Sequence, residues 1–398
     1  MTKILDRTAQ LQGQPGLHAL IAGVSLYAHL PGGGGAPGEL GNLLLAQLDG
    51  TARTAHVMVE WLLEADQQGR LPLPLATVRL LLSPSADEAA LNGVVESCTW
   101  ENFATELNAW RADAAKHPKS MTFFYFAGHG LERWKGDSVM LMADFAKPGP
   151  GGVFDRAIDT KHIIEGMAPP TDPARTIARN QLYFVDACRT SVSALKKYKT
   201  EEARRPWAAE ANGKDDRSYP IFYASVPGDT AKLLKGQTTL FSEALLNCLN
   251  RLGATGPAPG NPKWHVTTRT LGDALEIAVA QVNEKYKKLG ASQNFMPDGQ
   301  NKSFTIVNLN APPEVDVEVT VDPEDAIPAI GIDIRDKQLR QVRFIQPDQA
   351  AHPYRGHLPA GIYKFAAAPI DPAAAFQVVE SLESVTLPSF PWVAKVTP

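Results

Sequence analysis

The sequence predicts an α/β protein with a mostly parallel sheet, followed by a β-rich, sandwich-like C-terminal module. Apolar runs of strand length alternate with helical patterns as far as about residue 308, which is typical of a parallel sheet covered on both faces. After Asn310 the pattern changes to short runs in which apolar and polar residues alternate. A chain of 398 residues also suits two domains better than one.

The elements of the first part follow one another along the chain. The apolar runs predicted as strands are residues 17–27, 75–82, 121–130, 180–191 and 219–229. A helix is predicted from Thr51, and a second helix behind Thr99 as its N-cap. Two further helical patterns lie near TTLFSEALLNCLNRL and TLGDALEIAVAQVNEKYKKL. Helices therefore separate the first three predicted strands, and two more helices follow the last strand.

The C-terminal part has a different texture. The segment EVDVEVTV alternates strictly, and its valines at 315, 317, 319 and 321 share one face. Further short β-like runs are IGIDIR, QVRFIQ and GIYKFAA. We therefore divide the chain into an N-terminal extension (1–14), an α/β domain (15–308) and a β-rich domain (309–398).

Composition excludes several classes of protein. The net charge of −4 gives no basic surplus that would indicate nucleic acid or a membrane surface as a partner. No apolar run approaches the roughly 20 residues of a membrane helix, and the first residues lack the apolar stretch of a secretory signal. The three cysteines, Cys98, Cys188 and Cys248, are too few and too far apart for a disulfide framework or a cysteine-cluster metal site. We predict a cytoplasmic location.

Two strand ends carry residues that can perform covalent chemistry together. One strand runs into Gly128-His129-Gly130, and another into Asp186-Ala187-Cys188-Arg189. In an open α/β sheet, functional groups collect beyond the carboxyl ends of the strands. An imidazole can take the proton of a thiol and later protonate a leaving amine. From spacing alone, a structural histidine and a cysteine packed as a small apolar residue stay equally acceptable.

The local sequences are more specific. FYFAGHG, followed about 59 residues later by LYFVDACRTS, resembles the caspase-like cysteine peptidases, which include caspases, paracaspases, metacaspases and bacterial relatives. LHALIAGVSLY, YPIFYASVPGDTA and TTLFSEALLNCL are similar to further family segments, so the resemblance covers roughly residues 15–308. It implies a caspase-like three-layer sandwich with Cys188 as nucleophile and His129 as acid/base. The backbone N–H groups of Gly130 and Cys188 would form the oxyanion hole.

The same resemblance suggests the specificity. The residue two positions before the nucleophile lies in the floor of the substrate pocket; it is glutamine in aspartate-specific caspases and aspartate in metacaspases and paracaspases. Here it is Asp186, which favours pairing with a guanidinium or an ammonium. The arginines of caspases that hold an acidic substrate fall near Leu48 and Leu233, which are not basic. Cleavage after Arg or Lys is therefore implied, unless Asp186 only caps the nucleophile loop through backbone N–H groups.

Other pocket positions are less certain from the sequence. The additional acids of paracaspases align with Thr54 and Leu233, which are neutral, so a different acid would have to substitute. The further pocket candidates are Asp49, Ser225 and Asp229.

The basic, polar stretch between Cys188 and Tyr219 is predicted to be an exposed loop. In caspases the corresponding linker is the site of activating cleavage, by the enzyme itself or by an upstream protease. The candidate processing sites are Lys199, Arg204, Lys214 and Arg217. The alternative is a surface helix whose charges are only solvated.

No cofactor is predicted. Many metacaspases need calcium, but the acidic segment after their histidine is replaced here by GDSVMLMADF. The scattered acids that remain as candidates are Asp137, Asp144, Asp215 and Asp216. Residues 33–38 match G-x-G-x-x-G, with Glu60 further on, but no helix is predicted to begin there and Pro37 lacks an N–H donor.

The predicted function is a caspase-like endopeptidase that acts on protein substrates, with no nucleic acid or membrane partner. By analogy with bacterial relatives, it would act in a defence or cell-death cascade. The alternative is a caspase fold that has become a catalytically silent binding scaffold.

Overall fold

The computed structural model describes residues 2–38, 45–132, 137–172, 174–189, 201–207, 214–226, 236–258, 260–290, 293–374 and 376–397. The chain divides into two compact units. The first unit comprises Met1–Cys248 and Val266–Asn308, and the second comprises Leu249–His265 and Leu309–Pro398.

Helices separate several of the strands in the first unit, as the sequence predicts, and strands predominate in the second unit. The strands are β1 (Lys3–Asp6), β2 (Leu17–Val24), β3 (Leu75–Ser83), β4 (Met121–Gly128), β5 (Gly130–Leu131), β6 (Val139–Leu141), β7 (Ala157–Asp159), β8 (Asn180–Ala187), β9 (Tyr219–Tyr223), β10 (Ala254–Thr255), β11 (Trp264–Thr267), β12 (Met296–Gln300), β13 (Thr305–Leu309), β14 (Glu314–Asp322), β15 (Ile330–Asp336), β16 (Gln341–Ile345), β17 (Tyr354–Pro359), β18 (Gly361–Pro369), β19 (Val379–Val385) and β20 (Ser389–Lys395). The α-helices are α1 (Thr8–Leu11), α2 (Thr51–Gln67), α3 (Trp100–Ala114), α4 (Thr160–Gly166), α5 (Leu240–Asn247) and α6 (Thr268–Tyr286). The shorter helical turns are Ala86–Leu91, Cys248–Leu252, Lys287–Leu289, Glu324–Ala326 and Gln349–Ala351.

The central sheet of the first unit is mixed and mostly parallel. Its seven strands lie in the order β1-β3-β2-β4-β8-β9-β12. The five inner strands are parallel to one another. The edge strands β1 and β12 are antiparallel to β3 and β9, respectively. Every residue of β2, β3 and β4 is buried, which explains why these strands are continuous apolar runs rather than alternating ones.

Helices cover both faces of this sheet. Successive side chains of a strand point to opposite faces. Phe123 of β4 contacts Trp61 of α2, with ring centroids 6.4 Å apart. The next residue, Phe124, contacts Trp110 of α3 at 5.9 Å. The first unit therefore has three layers, helix–sheet–helix.

The strands from β14 to β20 of the second unit form two sheets, β17-β14-β20 and β16-β15-β18-β19. The predicted valine face of β14 is buried in a core to which both sheets contribute. Phe365 of β18 and Trp392 of β20 meet in that core, with ring centroids 5.1 Å apart. The alternation in the sequence thus predicts this β-rich unit correctly.

The units differ from the predicted divisions at two places. Residues 3–6, expected to belong to an extension, form β1 and pair with β3 of the central sheet. Residues 249–265 belong to the second unit, where Trp264 packs against the core and Arg251 pairs with Asp316 at 3.1 Å. Residues 3–6 are too few to show a periodic pattern, and residues 249–265 are rich in Gly and Pro. Among the described helices, none combines the length and apolar character that a membrane crossing requires.

Candidate active site

The ends of β4 and β8 bring the predicted catalytic residues to one edge of the sheet. Gly128 and Ala187 are register partners, so His129 and Cys188 are the residues that directly follow a paired position. Gly130 lies against the Cys188 backbone, where a Cβ atom would overlap the Cys188 carbonyl oxygen. Glycine is therefore required at position 130 for the two strand ends to approach this closely.

The hydrogen bonding of His129 defines its tautomer. Its Nε2 lies 2.7 Å from the carbonyl oxygen of Ala46. Because a carbonyl only accepts, Nε2 carries the proton, and the neutral ring has its lone pair on Nδ1. Burial lowers the pKa of His129 below its usual value, and the bond to Ala46 partly opposes this. The imidazole is thus a neutral base near pH 7, with Nδ1 as the basic atom.

Two residues that the sequence analysis missed hold this histidine. The His129 backbone N–H donates to the Tyr27 hydroxyl at 2.6 Å, and the two rings lie 4.8 Å apart. Gln47 binds both the backbone N–H and the carbonyl of Tyr27, at 2.7 and 3.0 Å, and so fixes the loop that carries Ala46. A backbone acceptor such as Ala46 leaves no side-chain signal, whereas Tyr27 ends the first predicted strand run.

Cys188 is half-buried, while Cys98 and Cys248 are buried, and none of the three is in a disulfide. Burial raises the pKa of the Cys98 thiol, so that thiol is unreactive. The next residue after Cys188, Arg189, is buried with its guanidinium 4.7 Å from the ring centroid of Tyr223.

The backbone N–H of Gly130 is oriented away from its neighbouring strand. β5 and β6 are antiparallel, with Gly130 opposite Met140, and the Leu141 N–H donates to the His129 carbonyl at 3.0 Å. Hydrogen-bonded and non-hydrogen-bonded pairs alternate along such a ladder. The pair Gly130–Met140 is therefore the non-hydrogen-bonded type, and the Gly130 N–H points away from β6.

Asp186 is buried, and its two carboxylate oxygens have different surroundings. Oδ2 accepts hydrogen bonds from the hydroxyls of Tyr125, at 2.7 Å, and Thr239. Oδ1 is buried and has no hydrogen-bond partner among the described residues. Burial raises the pKa of Asp186 to about 6, although both hydroxyls lower it. Neither oxygen accepts a backbone N–H in the described part of the chain, which argues against the loop-capping alternative.

Comparison with known proteins agrees with this geometry. The family model of the Peptidase_C14 caspase domain matches residues 41–290. The chain belongs to the caspase-domain family. Membership supports a cysteine peptidase and confirms the predicted α/β fold class.

Among solved structures, the chain is similar to the crystal structure of protein GSU0716 from Geobacter sulfurreducens. The two chains are 13% identical, the match covers 72% of this chain and 95% of the other, and the TM-score is 0.41. No curated protein matches the sequence.

The structure describes two of the three other residues predicted for the substrate pocket, Ser225 and Asp49. Ser225 is buried, and its hydroxyl donates to the Ala187 carbonyl at 2.9 Å, so it holds the end of β8 instead of facing a substrate. Asp49 accepts from the Gly236 N–H at 3.1 Å. Asp229 and Leu233 lie outside the described residues.

One predicted processing site is corrected by the structure. Arg217, expected in an exposed loop, is only 2% exposed and pairs with Asp215 at 2.8 Å. Its guanidinium also donates to Gln181 at 3.1 Å, so a protease has no access to this side chain. Arg204 and Lys214 are exposed, as predicted, and Lys199 lies outside the described residues.

Residues 201–207 of the linker form a docked segment. Ala203 is 2% exposed and belongs to the core on the α3 side of the sheet. The Trp207 indole N–H donates to Asn108 Oδ1 at 2.7 Å, and the Arg204 guanidinium lies 5.3 Å from the ring centroid of Trp100. This part of the linker is a loop anchored by Ala203 and Trp207, in which Glu202, Arg204 and Arg205 are exposed. The surface-helix alternative is therefore wrong for residues 201–207.

The scattered acids considered for calcium are engaged in other contacts. Asp144 pairs with Arg156 at 2.5 Å, and Asp216 with Arg179 at 2.6 Å. Asp215 is the partner of Arg217 described above, and Asp137 is buried. The described residues contain no group of three or more His, Cys, Asp or Glu side chains suited to a metal ion. The absence of a cofactor remains a prediction.

The glycine-rich loop does not have the geometry of a dinucleotide site. The N–H groups of Gly33, Gly35 and Gly38 donate to the carbonyls of Leu30, Ala28 and Ala146. A phosphate site needs such groups to point at the ligand from the start of a helix.

Proposed function

We propose that this chain is a cysteine endopeptidase that hydrolyses peptide bonds in proteins after Arg or Lys. The observation that carries the proposal is the convergence of His129 and Cys188 beyond one register pair of β4 and β8. A half-buried cysteine beside a neutral histidine, with a glycine at the point of closest approach, is the arrangement that acyl transfer to a thiol requires.

The first half-reaction would form a thioester. Nδ1 of His129 takes the proton from the Cys188 thiol, and the thiolate attacks the carbonyl carbon of the substrate. The negative charge that develops on the carbonyl oxygen is stabilised by the backbone N–H groups of Gly130 and Cys188. As the C–N bond breaks, the protonated His129 gives its proton to the leaving amine.

The second half-reaction would regenerate the enzyme. His129, now neutral again, takes a proton from a water molecule, whose oxygen attacks the thioester carbon. The C–S bond breaks, the new carboxyl product leaves, and the proton returns to the Cys188 sulfur. The bond from Nε2 to Ala46 keeps Nδ1 as the atom that accepts and returns the transferred proton throughout.

Asp186 supports the specificity for basic residues. Its Oδ1 atom is a buried acceptor without a partner in the described chain, and a buried charge needs an opposite charge or a donor. The guanidinium of Arg or the ammonium of Lys supplies both. An acidic side chain would meet repulsion at the same place.

A panel of fluorogenic peptides that differ only in the residue before the cleaved bond tests the proposal. Arg and Lys peptides should be cleaved, and Asp peptides should be cleaved at least about 100-fold more slowly, because like charges in a desolvated site cost several kcal/mol. A preference for Asp over Arg would refute the proposed specificity while leaving the proposed cysteine chemistry open to its own test.

The pH dependence of kcat/KM should differ between charged and neutral substrates. One peptide carries citrulline, the uncharged analogue of arginine. Its rate of cleavage should fall only as His129 is protonated, which occurs below pH 6.5 because burial holds the pKa of His129 below its usual value. With the Arg peptide, protonation of Asp186 near pH 6 adds a second loss, because the neutral carboxyl no longer pairs with the cation. Identical acid limbs for the two peptides would contradict this role of Asp186.

Cleavage of the linker is a further expected event. Arg204, within the docked segment, and Lys214 are exposed sites, whereas Arg217 is protected by burial. Intact-mass analysis of purified wild type should find cuts between residues 190 and 216, and Cys188→Ala should remain uncut unless an upstream protease is added. Uncut wild type with full activity would show that this cleavage is not the switch.

A further inference from the structure

The two oxygens of Asp186 differ in how many hydrogen bonds they can still accept. An ionised carboxylate has about two acceptor positions on each oxygen. Oδ2 already accepts from the hydroxyls of Tyr125 and Thr239, whereas Oδ1 accepts from none of the described groups. Both hydroxyls are donors in these contacts, because an ionised carboxylate cannot donate. Only Oδ1 therefore keeps unused acceptor positions.

Thr239 is held in this orientation by its position at the start of a helix. It is the N-cap of α5, where its hydroxyl oxygen accepts the backbone N–H of Ser242 at 3.2 Å. Its hydroxyl proton is thus directed to Asp186. The Thr239 backbone N–H donates to the hydroxyl of Thr54 at 3.0 Å, and Thr54 donates to the Gly50 carbonyl at 2.7 Å. The donor belongs to a continuous hydrogen-bonded chain that begins in α2.

Tyr125 provides the second fixed donor. It lies on β4, the strand adjacent to β8, and is fully buried. Its hydroxyl is 2.7 Å from Oδ2 of Asp186. Since both donors come from packed elements, neither can move aside without disturbing the sheet or the helix cap.

We propose that Tyr125 and Thr239 determine specificity by occupying Oδ2, so that Asp186 receives the substrate cation through Oδ1 alone. This inference rests on the proposed function of Asp186. A guanidinium prefers a carboxylate that offers both oxygens to its parallel N–H groups, whereas an ammonium needs only a point of negative charge. With one oxygen blocked, arginine loses the advantage of the two-point contact. The pocket therefore recognises charge and accepts Lys nearly as well as Arg.

The wild-type enzyme should cleave matched Arg and Lys peptides with kcat/KM values within about tenfold of each other, since one charged hydrogen bond is the most that separates them. Tyr125→Phe and Thr239→Val each vacate one acceptor position on Oδ2. In both variants the ratio of kcat/KM for Arg over Lys should rise by about threefold or more, because the two-point contact becomes available.

The same variants have a second readout in the pH profile. Burial raises the pKa of Asp186, and the hydrogen bonds from these two hydroxyls lower it. Loss of either hydroxyl should move the acid limb of kcat/KM for the Arg peptide to higher pH. The acid limb for the citrulline peptide depends on His129 and should not move. A purely structural role of Tyr125 or Thr239 would leave the Arg limb where it is.

Two further variants control for loss of the helix cap. Thr239→Ser keeps the hydroxyl and should retain the wild-type Arg/Lys ratio and acid limb. Thr99→Val removes the corresponding cap of α3, where Thr99 accepts from Asn102, and it should lower thermal stability without changing the Arg/Lys ratio.

The outcomes separate this inference from the proposed function. A wild type that cleaves neither Arg nor Lys peptides refutes the proposed function and the inference with it. A wild type that cleaves basic peptides but prefers Arg by more than about 100-fold overturns the inference alone. The inference is also overturned if Tyr125→Phe and Thr239→Val both keep the wild-type ratio and acid limb.

Discussion

Cys188→Ala should lower kcat/KM on Arg and Lys peptides by at least about 10³-fold, because a nucleophile and its base act as one unit. His129→Ala should cause a loss of the same order. Cys188 is half-buried, so its truncation leaves little empty volume, and the melting temperature should change little. His129 is buried against Tyr27, and His129→Asn is the better-matched variant for separating lost catalysis from lost packing.

Cys98→Ala is the matched control, because it makes the same chemical change at a buried thiol that takes no part in the proposed chemistry. It should keep wild-type kcat/KM. Iodoacetamide gives an independent measurement: intact mass should show one adduct on native wild type and on Cys98→Ala, and none on Cys188→Ala. If Cys188→Ala keeps a tenth of wild-type turnover, Cys188 is not the nucleophile. If wild type cleaves none of the peptides, the binding-scaffold alternative is favoured.

Asp186→Asn should produce the second largest effect, a loss of roughly 30- to 5,000-fold in kcat/KM for Arg and Lys peptides. Removal of one partner from a desolvated charge pair costs about 2–5 kcal/mol. The hydrogen bonds of Asp186 also predict how the asparagine amide would be oriented. The hydroxyls of Tyr125 and Thr239 need an acceptor, so the amide oxygen should take the place of Oδ2. The NH₂ group would then face the substrate cation, donor against donor.

Stability should change much less than activity in this variant. Asp186 bears a buried charge, and replacing a buried charge by a neutral group that keeps two hydrogen bonds is close to neutral for folding. We expect the melting temperature of Asp186→Asn to stay within about 4 °C of wild type. Cleavage of the citrulline peptide should be unchanged within about threefold, which controls for a damaged active site. A parallel loss on basic and citrulline peptides would show that Asp186 acts structurally.

The sequence predicts the fold and the reacting residues for a clear physical reason. Buried parallel strands are continuous apolar runs, and the polar residues that follow them lie at the edge where sites form. His129 and Cys188 are such residues, so the amino-acid pattern alone identifies them as candidates. The alternation of β14 likewise predicts a sheet with one buried face.

Other parts of the site give no such signal. Ala46 acts through a backbone carbonyl, which any residue would provide. Tyr125 and Thr239 are ordinary strand and cap residues in the sequence, and only tertiary packing brings their hydroxyls to Asp186. Arg217 is misassigned because a charged residue in a polar stretch is normally exposed, whereas here it is neutralised by Asp215 and buried.

Residues 249–265 impose an order on folding during synthesis. They precede α6 and β12 in the chain but belong to the second unit, whose remaining residues are 309–398. Synthesis adds roughly 5–20 residues per second, so several seconds pass between the synthesis of this segment and that of Asp316 and the valines of β14. During that interval Trp264 has no core to pack against. The nascent chain therefore carries an exposed apolar residue until the strands of the second unit are made, and a truncation at residue 308 would leave Trp264 exposed in the same way.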